Sequence, residues 1–122
     1  MANYQKYTEL EVWKQVRALA SYIYKITALF PTIEQYGIIS QMRRCVVSIP
    51  SNIAEGSGRQ HNKETLHFLS IARGSLYELE TQIHISKDLN FISDEIYNCC
   101  LDKIENLGKL INGFMRYYKL ER

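Results

Sequence analysis

Apolar side chains return at alternating intervals of three and four residues in four successive blocks of the chain. The first block carries Val12, Val16, Leu19, Ile23, Ile26 and Phe30, widened by Trp13, Ala20 and Thr27. The second carries Ile38, Met42, Cys45, Ile49 and Ile53 opposite a polar stripe of Gln41, Arg44, Ser48, Asn52 and Glu55. The third carries Leu69, Ala72, Leu76, Leu79, Ile83 and Ser86. The fourth carries Ile96, Cys100, Ile104, Leu107, Ile111, Phe114 and Tyr118. Such spacing puts each set on one face of an α-helix. No block shows the period of two that a strand needs, and there is no internal repeat or low-complexity tract. Four amphipathic segments on short links bury their faces by packing antiparallel. The pattern predicts one all-α domain over residues 1–122: an up-and-down antiparallel four-helix bundle, with helices over roughly 8–29, 38–56, 62–89 and 93–119.

Local signals set these limits. Thr8 and Glu11 have capping-box spacing, and Tyr7 and Val12 are placed for a hydrophobic staple across it. Pro31 stops the first helix, because the residue before a proline is pushed out of the helical region. Pro50 falls inside the second block, yet the apolar spacing continues in phase through it, which predicts a kink rather than a break. Gly56 and Gly58 read as the stop of that helix through left-handed glycine. Asn62 and Ser93 are candidate caps of the third and fourth helices, each followed by acidic residues that suit the positive helix end. Gly74 lies mid-helix, where glycine costs about 1 kcal/mol relative to alanine. With Ser75 it predicts a close approach of another backbone or a large side chain.

Composition changes the picture little. The chain has 122 residues, 46% hydrophobic and 23% charged, with a formal charge of +2. This is a folded globular domain, not a disordered or strongly basic one. Cys45, Cys99 and Cys100 are odd in number and form no CxxC pair, which argues for thiols in a reducing compartment. Residues 1–6 lack an apolar signal core, and no apolar run approaches the length of a membrane span, so a cytoplasmic protein without a membrane partner is expected. Tyr4, Trp13, Tyr22 and Tyr24, with Phe68, Ile71, Tyr77 and Ile85, and Tyr97, Cys99, Tyr117 and Leu120, widen the stripes beyond one core. That surplus points to self-association.

No catalytic constellation emerges, so no enzyme and no cofactor is expected. A di-iron bundle needs a Glu-x-x-His pair on each of two helices and two further glutamates. Glu64 and His67 give one such pair, Glu80 and His84 are four apart, and the fourth block has no histidine. No metal site follows. Cys45 sits on an apolar stripe, where burial quiets a thiol. The glycines around Ser57 lack the lysine and spacing of a phosphate-binding loop.

Charge is distributed unevenly. Arg43, Arg44, Arg59, Lys63 and Arg73 face only Glu55 and Glu64 between positions 41 and 74, and the segment after it leans acidic. Arg43, Arg44, Arg59 and Lys63 are therefore candidate phosphate contacts, with a solvated charged face as the alternative. Arg73, Glu78, Glu80, Gly74 and Pro50 are candidates for a structural ion pair or interface. In that arrangement Arg43 or Arg44 pairs with Glu78 or Glu80 and fixes helix register.

Phe30-Pro31, Glu34, Tyr36-Gly37, Ser40-Gln41, Arg43-Arg44 and the run from Ser48 through Pro50 and Asn52 to Gly56 carry a resemblance. So do Phe68-Leu69, Ile71-Ala72, Gly74-Ser75-Leu76 and Glu78 to Gln82. The chain resembles the bacterial four-helix-bundle proteins encoded in intervening sequences of large-subunit rRNA genes. It is also similar to the accessory variability protein of diversity-generating retroelements. The resemblance implies a barrel-like homopentamer without catalytic residues, and as partners nucleic acid and a reverse transcriptase. Three functions are thus in play. The first is a non-catalytic oligomeric scaffold or adaptor on RNA or DNA. The second is a pure protein–protein interaction module. The third, the remotest, is a bundle metalloenzyme.

Overall fold

The computed structural model describes residues 6–120, with the side chain of Leu120 left aside. Tyr4 and residues 1–5 of the stretch read for a signal core lie outside the described residues. Four helices run in sequence: α1 (Glu11–Thr27), α2 (Ile38–Ser57), α3 (Asn62–Asp88) and α4 (Asp94–Leu120). No strand occurs among the described residues. The four-helix bundle is confirmed. Each helix packs on its sequence neighbours, and α1 closes the ring against α4. The α2–α3 interface is the most extensive and α1–α4 the slightest. Phe30 and Phe91 meet at 5.2 Å between ring centroids, placing the α1–α2 and α3–α4 links at one end. Asn62 donates to the Tyr118 carbonyl at 3.3 Å at the other.

The seams lie where the spacing puts them. All six first-block positions are buried, and so are all six of the third, from Leu69 to Ser86. On α2 the core also takes Ile39 and Val46, because this helix packs against partners on two sides. On α4, Met115 is buried where the pattern favours Phe114, which is only half-buried.

Several boundaries differ from expectation. The Thr8–Glu11 capping box does not form: Tyr7–Glu9 makes one 3-10 turn, and extended Leu10 precedes α1 without a side-chain cap. Packing explains this. Tyr7 turns its ring edge-on to Trp13 at 5.2 Å instead of stapling Val12, and Glu11 accepts from Gln15 at 2.9 Å. Asn62 is the first residue of α3 rather than its cap. Ser93 does cap α4, its Oγ accepting from the Ile96 N–H at 3.1 Å. The one left-handed residue among those described is Asn90, φ 63°. It closes α3 with Phe91 N–H donating to the Ser86 carbonyl (2.9 Å) and Asn90 N–H to that of Lys87 (3.0 Å). This is the glycine-type helix terminator, with asparagine in the left-handed position.

α2 continues through Pro50 without a break. Neither Gly56 nor Gly58 is left-handed, so the helix does not stop by that device. Gly56 is instead a close-approach residue: a Cβ there would lie 2.8 Å from Phe68 Cβ. Its carbonyl also accepts from buried Thr65 Oγ1 at 2.8 Å. Gly74, where the sequence predicts a close approach, is exposed with nothing within 4 Å of an added Cβ. Gly74→Ala should therefore raise stability by about 0.5–1 kcal/mol, through helix propensity alone, measured by urea denaturation.

Candidate nucleic-acid interface

The residues that carry the family resemblance are building material for the α2–α3 contact. Ser48 and Ser75 share a hydrogen bond of 2.9 Å between their hydroxyls. Asn52 Nδ2 donates back to the Ser48 carbonyl and hydroxyl at 2.8 and 3.1 Å, holding that serine in place. One turn earlier the Cys45 thiol donates to the Ser75 carbonyl at 3.0 Å. Small residues let the two backbones approach, and their hydroxyls satisfy each other in the seam. Burial, reinforced by nearby Glu78, pushes the Cys45 thiol up to about 12; burial likewise pushes Cys100 up to about 11. Both thiols should resist a thiol reagent at pH 8 in the folded protein and react on unfolding, with half-buried Cys99 labelling first. The sign of the pH effect follows. From the ordinary thiol value near 9 upward, only the unfolded chain ionises these groups, so stability falls as pH rises through that range.

The four predicted phosphate contacts do not form one patch. Arg43 lies roughly 21 Å from the C-terminal end of α2 at the helical rise of ~1.5 Å per residue, and Arg59 follows that end. Arg59 pairs with Glu55, donates from Nε to the Glu55 carbonyl at 3.1 Å and covers the Phe68 ring at 4.7 Å. Its charge is neutralised at the α2–α3 turn. Lys63 is exposed at the start of α3. The predicted ion pairs of Arg43 or Arg44 with Glu78 or Glu80 are absent among the described residues. Glu78 instead receives Gln82 Nε2 at 3.5 Å, and Arg73 donates to Asn112 Oδ1 of α4 at 3.0 Å. Helix register explains the outcome: Arg43 turns toward α1, away from α3.

There Arg43 ties two helices together. Its Nε donates to buried Thr27 Oγ1 at 2.9 Å and its Nη2 to the Tyr24 carbonyl at 3.1 Å, while the guanidinium lies 4.6 Å over the Tyr24 ring. Arg44, one residue on, is exposed. Arg43→Ala should thus cost about 1–2 kcal/mol in denaturant unfolding, from the broken charged hydrogen bonds, with Arg44→Ala near zero.

Beside this tether runs an open groove of about 610 Å³ between α1 and the C-terminal half of α2. Tyr7, Trp13 and Tyr24 form its aromatic wall, and Ala20, Ser21, Pro50, Ser51 and Ala54 its shallow floor. Arg17 and Lys25 line it as well, Arg17 sitting 5.4 Å over the Trp13 ring. No carboxylate lines the groove, and neither Arg17, Lys25, Arg43 nor Arg44 is ion-paired among the described residues. Sequence reasoning missed Arg17 and Lys25. The signal was present in their i,i+8 spacing, which puts them on one face of α1 with Ser21 between.

The histidines gather no metal site. No group of three or more His, Cys, Asp or Glu side chains suited to a metal occurs among the described residues. His67 lies edge-on to Phe68, and His84 Nδ1 shares a 2.8 Å hydrogen bond with the Tyr97 hydroxyl. No described helix is long and apolar enough to cross a membrane.

The model of the 23S rRNA-intervening sequence protein family matches residues 8–113. The chain belongs to that family. A solved structure from Bacteroides thetaiotaomicron VPI-5482, a protein with unknown function from the S23 ribosomal protein family, superimposes with a TM-score of 0.75 at 23% sequence identity. The match covers 85% of this chain and 97% of that one, and it establishes a shared fold. No curated protein matches the sequence. Across this 23S rRNA-intervening sequence protein, the signature residues Ser48, Asn52, Gly56 and Ser75 therefore serve the bundle itself. The unpaired cations lie on a different face.

Proposed function

We propose that this 23S rRNA-intervening sequence protein is a non-catalytic cytoplasmic scaffold or adaptor. It assembles as a homo-oligomer and associates with RNA or DNA through the α1–α2 face. One observation carries the reading: Arg17 and Lys25 line that groove and Arg43 adjoins it at Tyr24, none of them with a carboxylate partner among the described residues. A modest patch of this kind gains strength by repetition around a ring, and the family resemblance favours a pentamer. The same resemblance offers a protein partner of the reverse-transcriptase kind. The end of the bundle beside Phe30 and Phe91 suits such a contact, because Leu29, Ile33 and Tyr36 are 79%, 89% and 95% exposed there. A mobility shift of structured RNA and of duplex DNA at low ionic strength tests the reading. A shift by the native chain that is lost in an Arg17→Glu/Lys25→Glu variant supports it. No shift with either nucleic acid contradicts it.

A further inference from the structure

We propose that the α1–α2 groove accepts unpaired bases of a single-stranded nucleic acid, stacked against Trp13 and Tyr24, with the adjoining phosphates held by Arg17, Lys25 and Arg43. The inference rests on the nucleic-acid reading above and gives it a ligand class. Backbone binding alone needs only exposed cations and is served equally well by a flat surface. This groove has more. Trp13 and Tyr24 each carry a guanidinium over one face, Arg17 at 5.4 Å from the Trp13 centroid and Arg43 at 4.6 Å from that of Tyr24. A base stacks on the outer plane of such a guanidinium–ring pair while the guanidinium N–H groups reach the neighbouring phosphate. The two pairs stand roughly 16 Å apart along α1 at the ordinary helical rise.

The remaining geometry fits the same ligand. Ala20, Ser21, Ser51 and Ala54 line the groove with small side chains, which leaves room for a planar ring beside the aromatic residues. Two hydrogen bonds fix the Arg43 side chain to α1, and its Nη1 makes none among the described residues, leaving a donor for a phosphate oxygen. The site is thus held in position before any ligand arrives. Duplexes are poor candidates, because their base faces are already stacked on neighbours. An unpaired base presents a face, and stacking on an aromatic side chain tolerates any base identity.

Trp13 is the single tryptophan of the chain, so its emission reports from the groove itself. The intact protein would be titrated with a short oligothymidylate and with an abasic strand of equal length and charge. Emission and the anisotropy of end-labelled strands would be followed in parallel. The intact strand should quench Trp13, and the abasic strand should bind roughly tenfold more weakly without quenching. Tyr24→Leu should weaken the intact strand by a similar factor and leave the abasic strand unchanged, and Tyr24→Phe should restore binding. Helical circular dichroism of each variant verifies its fold. Equal binding of both strands with unaltered Trp13 emission would overturn the groove assignment while leaving the scaffold reading standing. If neither strand binds, nor any structured RNA or duplex, the nucleic-acid reading itself fails. Equal quenching by polyglutamate would assign the groove to an acidic protein segment and overturn the proposal.

Discussion

Gly56→Val should destabilise the bundle by about 3 kcal/mol, the larger of the two backbone-sensitive effects in this fold. Any side chain at this position starts with a Cβ 2.8 Å from Phe68 Cβ and 3.4 Å from the Thr65 carbonyl oxygen. Phe68 Cβ is fixed to the α3 backbone, so no rotamer change relieves the contact, and α2 and α3 must move apart. The displacement also strains the 2.8 Å bond from Thr65 Oγ1 to the Gly56 carbonyl, in a site where neither group reaches water. A β-branched residue adds stiffness in the last turn of the helix. Urea unfolding monitored at 222 nm reads the effect directly. Gly74→Ala is the internal control, since the same glycine chemistry at an open site moves stability the opposite way.

The second large effect concerns binding. Joint replacement of Arg17 and Lys25 by glutamine should lower nucleic-acid affinity about thirtyfold at low salt. Each exposed cation contributes on the order of 1 kcal/mol after solvent screening, and two such contacts make about a decade and a half. Neither anchors the fold, because both are exposed on α1. The variant should therefore unfold at the same urea concentration as the native chain. Replacing Arg59 and Lys63 instead should change affinity far less, because Glu55 already neutralises Arg59 and Lys63, at the start of α3, does not line the groove. Fluorescence anisotropy on both variants separates the two faces.

Helical periodicity made the core legible. Burying a face is a property of each segment alone, and Val12 through Phe30 and Leu69 through Ser86 all occupy the interior. What one segment cannot reveal is its neighbour. Gly56 resembles a stop signal and Gly74 a close approach because propensity sees the helix but not Phe68 on the next one. Thr8 and Glu11 have capping spacing, yet the Tyr7–Trp13 contact outweighs a surface cap. The charged face was misjudged for the same reason. Arg43, Arg44, Arg59 and Lys63 are close in sequence, but the rise of α2 and the turn into α3 spread them, and Arg17 and Lys25 join Arg43 only when α1 docks on α2.

The salt dependence of binding is the most direct test that the α1–α2 face grips phosphates. Three cations per protomer releasing counterions from a single strand predict a slope of log affinity against log salt of roughly −2, at ~0.7 per neutralised phosphate. The double glutamine variant should flatten that slope toward about −0.7. A native chain whose affinity is unchanged between low and physiological salt, or whose slope survives loss of Arg17 and Lys25, would contradict the account.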